Sequence, residues 1–251
     1  MTDETMPRVL LVEDDPISRA FLITALDGVP CEVDSADGMA AALALARSQH
    51  YDAWLLDAHL ADGSGIELLQ RLRLLHPSTP VLAHTASHDV ALHARLREAG
   101  FADVVVKPLP AAGVRGAVRT LLGMAAGGPE PSPRHATQDA PVWDNEAAAL
   151  ALNGNLAHVH TLRGLFLQEL PHTRDEVDAA HASDDVARLV RTLHKLRASC
   201  GFVGARRLSR AVLVLEARPD LPEARTGFHA AVEATLASPT APGGQGAMPA
   251  N

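Results

Sequence analysis

Trp54-Leu55-Leu56-Asp57 is an apolar run that ends in one carboxylate. The Gly/Ser/Asp loop after it, residues 58–65, leads into a helical pattern, Ile66-Glu67-Leu68-Leu69. A buried parallel strand reads this way when it delivers a side chain to the carboxyl edge of a sheet. A carboxylate held there can act as a nucleophile towards phosphorus. Glu13, Asp14 and Asp15 follow a second apolar stretch, residues 8–12. Asp15, next to Pro16, suits a helix cap, which leaves Glu13 and Asp14 unexplained. Adjacent carboxylates repel, and a hard divalent cation relieves that repulsion. Two further apolar stretches stop at Thr85 and at Lys107-Pro108. An acid pair, a further acid, a hydroxyl and an ammonium suit in-line phosphoryl transfer, which needs positioning and neutralised charge on the oxygens.

These groups require a scaffold that brings strand ends together. The stretch 8–13 reads as a buried strand, and Pro16 opens a helix with Ile17, Phe21, Leu22 and Leu26 on its apolar face. A weak strand near 31–34 and an Ala/Leu helix over about 38–47 come next. The Asp57 strand, a helix over 64–75, the strand 81–84, a helix over 89–99, the strand 104–106 and a helix to about 122 complete the pattern. Strand and helix alternating five times predict an α/β domain: a doubly wound parallel sheet covered on both faces. In such a sheet the ends of strands one, three, four and five open at the same rim.

With that set of strand ends, residues 7–123 closely resemble the receiver domain of two-component response regulators, over its whole length. The resemblance implies a flavodoxin-like five-stranded fold with Asp57 as phospho-acceptor. It implies an acidic pocket of Glu13 and Asp14 that holds Mg²⁺, Asp14 touching the ion, Asp15 lying beside it, and the main-chain carbonyl of His59 completing the protein's share of the shell. Thr85 would hydrogen-bond the phosphoryl oxygens and Lys107 would pair with them, with a cis Lys107–Pro108 bond. Ala61 departs from the family's usual Pro and should loosen the acceptor loop. Val104 replaces a common aromatic, which argues against a ring-based activation switch.

Residues 124–141, with Gly-Gly-Pro-Glu-Pro-Ser-Pro, read as a flexible linker with a reach of roughly 20–25 Å. From 142 to 237 the pattern is helical only. It predicts helices over 146–152 (capped by Asp144), 156–170, 171–181, one capped by Ser183 or Asp184 and interrupted at Gly201 and Gly204, another through Leu208, Val212 and Leu215, and a last over 221–236. Short connections between the longer helices suggest an antiparallel four-helix bundle. His194 lies just off an apolar face, with Arg197 one turn away and Ala198 leaving space beside the imidazole. The run His194-Lys195-Leu196-Arg197-Ala198-Ser199-Cys200-Gly201-Phe202-Val203-Gly204 closely resembles the signature of histidine phosphotransfer (HPt) domains, with Arg197 in place of the usual Lys and Ala198 in place of the usual Gly. It implies that His194 is a second phospho-acceptor.

The net charge of −8 argues against a nucleic-acid partner, because no basic stripe is available for phosphates. No apolar run reaches the length of a membrane span. Cys31 and Cys200 are far apart and read as small core residues of a chain suited to a reducing cytoplasm. Residues 238–251 read as a disordered tail. No Gly-rich nucleotide lid accompanies His194, so the expectation is a phosphotransfer protein rather than an ATP-dependent kinase. Phosphoryl would reach Asp57 from a sensor histidine kinase, pass to His194, and go on to a downstream response-regulator receiver. Two alternatives stand beside this: reverse flow from His194 to Asp57, making a phosphate sink, and a binding adaptor independent of phosphorylation.

Overall fold

A computed structural model describes residues 6–87, 89–107, 109–124, 141–152 and 154–238. The expected linker and tail fall almost wholly outside these residues, as does Pro108 and with it the expected cis bond. In the N-terminal half, β1 (Arg8–Val12), α1 (Pro16–Leu26), β2 (Glu32–Ala36), α2 (Met39–Ser48) and β3 (Ala53–Asp57) come first. A two-stranded ribbon, β4 (His59–Leu60) with β5 (Gly63–Ser64), leads into α3 (Gly65–Leu75). Then follow β6 (Val81–Thr85), α4 (Val90–Glu98), β7 (Asp103–Val106) and α5 (Ala111–Leu121). The main sheet is parallel, in the order β2-β1-β3-β6-β7, which is the flavodoxin-like doubly wound arrangement. The expected α/β class therefore holds, and the acceptor loop carries a ribbon where only a loop was expected.

Three of these helices start where the capping side chain holds a first free amide, while α5 opens at Pro110 without one. Asp15 accepts from Ser18 N at 2.7 Å with Pro16 in the first turn, Ser64 caps α3, and Asp89 caps α4. Strand alternation divides the apolar side chains between two faces. Val9, Leu11, Leu55 and Leu82 join the cluster under α1 and α5, while Leu10, Trp54, Leu56 and Ala83 join the one under α2 and α3. By the same parity, continued beyond the strand tips, Glu13, Asp57, His84 and Lys107 fall on the α1/α5 side.

The C-terminal half is helical: α6 (Asn145–Ala151), α7 (Leu156–Ala182), α8 (Val186–Val203), α9 (Arg206–Ala217) and α10 (Pro222–Leu236). The four longer helices correspond to the expected bundle. Three boundaries differ from expectation. Residues 156–170 and 171–181 form a single helix running through Pro171. The ring forfeits one backbone hydrogen bond, but Leu162, Phe166 and Leu170 before it and Val177 and Ala180 after it are all buried, so packing along one face outweighs the break. The cap of α8 is Asp185, which accepts from Arg188 N at 2.9 Å, because Ser183 and Asp184 belong to the turn that ends α7. Gly201 sits inside α8, which ends at Gly204 in the left-handed region (φ 71°). A Cβ at Gly204 would lie 2.2 Å from the Asp144 carbonyl oxygen, so both conformation and space require glycine.

The two halves pack against each other. One apolar cluster runs from Val9 and Phe21 through Leu162 and Phe202 to Val232. At the boundary Phe21 of α1 stacks on Phe202 of α8, ring centroids 4.1 Å apart and planes within 12°. Both rings are essentially buried. Phe21→Ala should lower the unfolding free energy by roughly 3 kcal/mol or more. Phe21→Leu should lower it by less, and urea denaturation of the full chain measures both.

Candidate functional site

The sheet places the ends of β1, β3, β6 and β7 at one rim, and there the expected residues meet. Lys107 Nζ donates to Asp57 Oδ2 at 2.7 Å and also pairs with Glu13 Oε2. Asp57 Oδ1 accepts from His59 N at 2.9 Å, and Glu13 Oε2 accepts from Ser18 Oγ at 2.8 Å. Thr85 is fully buried; its Oγ1 accepts from Ser87 N at 3.1 Å, and its carbonyl accepts from Lys107 N at 2.7 Å. Gly65 closes the acceptor loop: its N donates to Ala58 O, and a Cβ there would come within 2.4 Å of the Asp57 carbonyl oxygen.

The charges sort themselves by environment. Burial alone would raise the Asp57 carboxyl. Lys107, with help from His84 and the His59 amide, more than reverses this and holds it well below the usual carboxylate range. Burial pushes Glu13 up to about 8, against the attraction of Lys107 and with the added repulsion of Asp57 and Asp15. Burial opposes the Lys107 charge too, yet its two carboxylates hold it firmly protonated. Asp57 is thus the group that keeps its negative charge.

His84 was missed by the sequence reading. Its Nδ1 lies 3.3 Å from Glu13 Oε2, and burial with the nearby Lys107 lowers its pKa to about 3, so it sits neutral beneath the pocket. Glu13, Asp57 and His84 each offer one ligand atom within 4.8 Å of the others. Asp14 carries its own signal: its side chain is enclosed, and Oδ1 is buried with no hydrogen-bond partner among the described residues. The group formed by Glu13, Asp57 and His84 joins two carboxylates to one ring nitrogen and leaves out two of the expected metal ligands, Asp14 and the His59 carbonyl. Its carboxylate oxygens are the hard donors that a divalent cation prefers, and the orphaned Asp14 Oδ1 is a further donor of that kind.

The helical half presents His194 to this rim. Asp57, His59, Lys107, His194, Lys195 and Ala198 all line a cavity of about 310 Å³ between the halves. His194 Nε2 lies 3.5 Å from Glu216 Oε1, and Arg197 Nη1 donates to Glu216 Oε2 at 2.9 Å. Arg197 also reaches across to the Ala86 carbonyl, at 3.3 Å through Nη2. Glu216, on α9, was not foreseen, because only the crossing of α8 and α9 brings it under the imidazole. Ala198 is buried and borders the cavity, as expected of a small residue there. Val104 is half-buried and packs with the cluster under α2 and α3. Cys200 is buried and Cys31 partly so, and both are free thiols. Among the described residues no helix is long and apolar enough to cross a membrane.

A parallel sheet in this order, with two acids and a lysine at its rim and a histidine-bearing bundle against it, defines a receiver-type domain joined to a phosphotransfer-type helical domain. A family model for the response regulator receiver domain matches residues 9–119, and one for the Hpt domain matches residues 161–238. The chain is therefore a receiver domain followed by an Hpt domain. It is 29% identical over 215 residues to the sensor protein TorS of Escherichia coli (84% of this chain, 22% of TorS). It is 25% identical over 215 residues to the sensor protein GacS of Pseudomonas syringae (82% of this chain, 24% of GacS). The chain thus spans about a quarter of the length of these relatives. Among solved structures, the chemotaxis response regulator CheY4 of Vibrio cholerae aligns with a TM-score of 0.45 at 24% identity, covering 47% of this chain and 100% of that one.

The opposed shifts of Glu13 and Asp57 give a pH signature. Between the ordinary carboxylate range and about 8, folded Glu13 holds a proton that the unfolded chain has released. Its contribution to stability therefore falls as pH rises through that window. The lowered Asp57 contributes steadily there and loses its effect only in strong acid. In a chelating buffer, the parent chain should lose on the order of 1 kcal/mol between pH 6.5 and 8, above the range in which the neutral, buried His84 makes stability rise with pH, and Glu13→Gln should remove that loss. Urea unfolding at the two pH values measures it.

Proposed function

We propose that the chain is a phosphorelay protein in which Asp57 and His194 exchange a phosphoryl group directly. The observation that carries this reading is the shared cavity: the ionised carboxylate held by Lys107 and the imidazole held beside Glu216 line the same cleft between the domains. Holding two reacting groups in one chain replaces a bimolecular encounter by a positioned one. Asp57 attacks the phosphorus of a donor phosphohistidine, whose P–N bond breaks as its imidazole leaves; the Lys107 ammonium and the Thr85 hydroxyl steady the transferring oxygens, and Arg197 supplies a further positive group at the histidine side. His194 takes the group from the acyl phosphate through a ring nitrogen, and Asp57 leaves as a carboxylate beside Lys107.

Glu13, Asp14, Asp57 and the main-chain carbonyl of His59 would hold Mg²⁺, whose charge, when it is bound, neutralises the phosphoryl oxygens. The buried Asp14 Oδ1, which has no hydrogen-bond partner among the described residues, supports that assignment. The receiver spans about 7–123 and the Hpt domain about 142–237 in this reading, the chain acts as a phosphotransfer protein without a nucleotide site of its own, and it works in the cytoplasm. A sensor histidine kinase supplies Asp57, and a further receiver drains His194. Flow in the opposite direction, from His194 to Asp57 and then to water, uses the same geometry.

Acetyl [³²P]phosphate distinguishes the two acceptors, since an acyl phosphate is destroyed by alkali and a phosphohistidine survives it. The parent chain with Mg²⁺ should acquire both kinds of label, His194→Ala only the alkali-labile kind, and Asp57→Ala neither. Equal alkali-stable labelling in all three would reject the exchange.

A further inference from the structure

Asp14 and Asp15 are met from across the domain boundary. Lys195 Nζ pairs with Asp14 Oδ2, and Ser199 Oγ donates to Asp15 Oδ1 at 3.3 Å. Lys195 and Ser199 are one turn apart on α8, so a single helix face offers an ammonium and a hydroxyl to two consecutive acids. The Asp14 side chain is only 7% exposed, and its other oxygen is buried without a hydrogen-bond partner among the described residues. A cation is the partner that offsets the hydration such an enclosed carboxylate loses. Here that cation comes from the Hpt domain, on the residue next to His194.

We infer that Lys195 is a stand-in cation for the receiver's acid pocket, so that Hpt docking through Lys195 and divalent-cation binding compete at Asp14. The inference rests on the reading of Glu13, Asp14 and Asp57 as a cation pocket. An ammonium and a dication drawn to the same largely buried carboxylate repel each other strongly, so both cannot hold it at full strength. Lys195 has somewhere else to go. Its side chain is one-third exposed, and it lines both the cavity shared by Asp57 and His194 and a second cavity of about 570 Å³ bordered by His59 and Ser199. Turned into the first, the ammonium faces the space a phosphoryl group crosses between the acceptors. Without a cation, Lys195 neutralises the pocket and fastens the two domains; with one, it yields Asp14 and becomes available to the phosphoryl oxygens. The linkage is reciprocal, so removing Lys195 must tighten cation binding.

The test uses the full chain and Mn²⁺, with free Mn²⁺ read by electron paramagnetic resonance and Mg²⁺ added as competitor. Lys195→Ala should bind Mn²⁺ roughly fivefold more tightly or better. Lys195→Arg, which keeps the charge, should stay close to the parent. Arg191→Ala removes a positive charge from the wall of the same cavity without touching Asp14 in this arrangement, and should change the affinity much less. Equal affinity in the parent and Lys195→Ala, or an equal gain from Arg191→Ala, overturns the competition and leaves the cation pocket standing. No Mn²⁺ binding by any of the chains overturns the pocket and the competition together.

Discussion

A single ammonium, that of Lys107, holds two buried carboxylates at the ends of two different strands. Removing one member of such a set strands a charge in the interior, at a cost of about 3–5 kcal/mol. The sheet must therefore deliver Glu13, Asp57 and Lys107 to one place, and its strand order does so. β1 and β3 are neighbours, β7 lies two strands further on, and only the long lysine side chain spans that interval. The unequal environments of the two acids then settle which one keeps its charge. Glu13, whose burial outweighs the pull of Lys107, drifts towards the neutral form; Asp57, with a backbone amide on its other oxygen, stays an anion.

The docking of the Hpt domain is built from unlike parts with separate tasks. The Phe21–Phe202 stack removes apolar surface from water and supplies adhesion with little dependence on orientation. Orientation comes from polar contacts around the rim: Lys195 on Asp14, Ser199 on Asp15, and Arg197 on the Ala86 carbonyl. All three polar residues lie within six positions of His194 on α8. A helix that places them correctly also places the imidazole over the acid pocket. Glu216 fixes the far side by engaging both Arg197 and His194.

Much of this was legible in the sequence, for physical reasons. Buried parallel strands are short and nearly all apolar, so the position at which Val81–Thr85 or Trp54–Asp57 turns polar marks the rim without any tertiary knowledge. Helix caps at Asp15 and Asp144 are equally local. What escaped depends on register or on distance along the chain. His84 is unremarked as one histidine among thirteen until β3 and β6 are paired and it falls beside Asp57. The Lys195–Asp14 pair joins residues 181 apart. Pro171 argues locally for a helix boundary, and only the buried stripe on both sides of it shows that packing overrides the local preference.

The shared apolar cluster has a consequence for the chain as an object to be divided. Phe21 and Phe202 are covered by each other, so cutting between the halves would bare an aromatic scar on each fragment. Such fragments would tend to self-associate, and a scar on a lone receiver could accept any helix bearing a flat ring in the place of Phe202. Tolerance to substitution should be correspondingly narrow along α1. A change there must satisfy a sheet beneath it and a foreign helix above it, a constraint that a receiver standing alone does not bear.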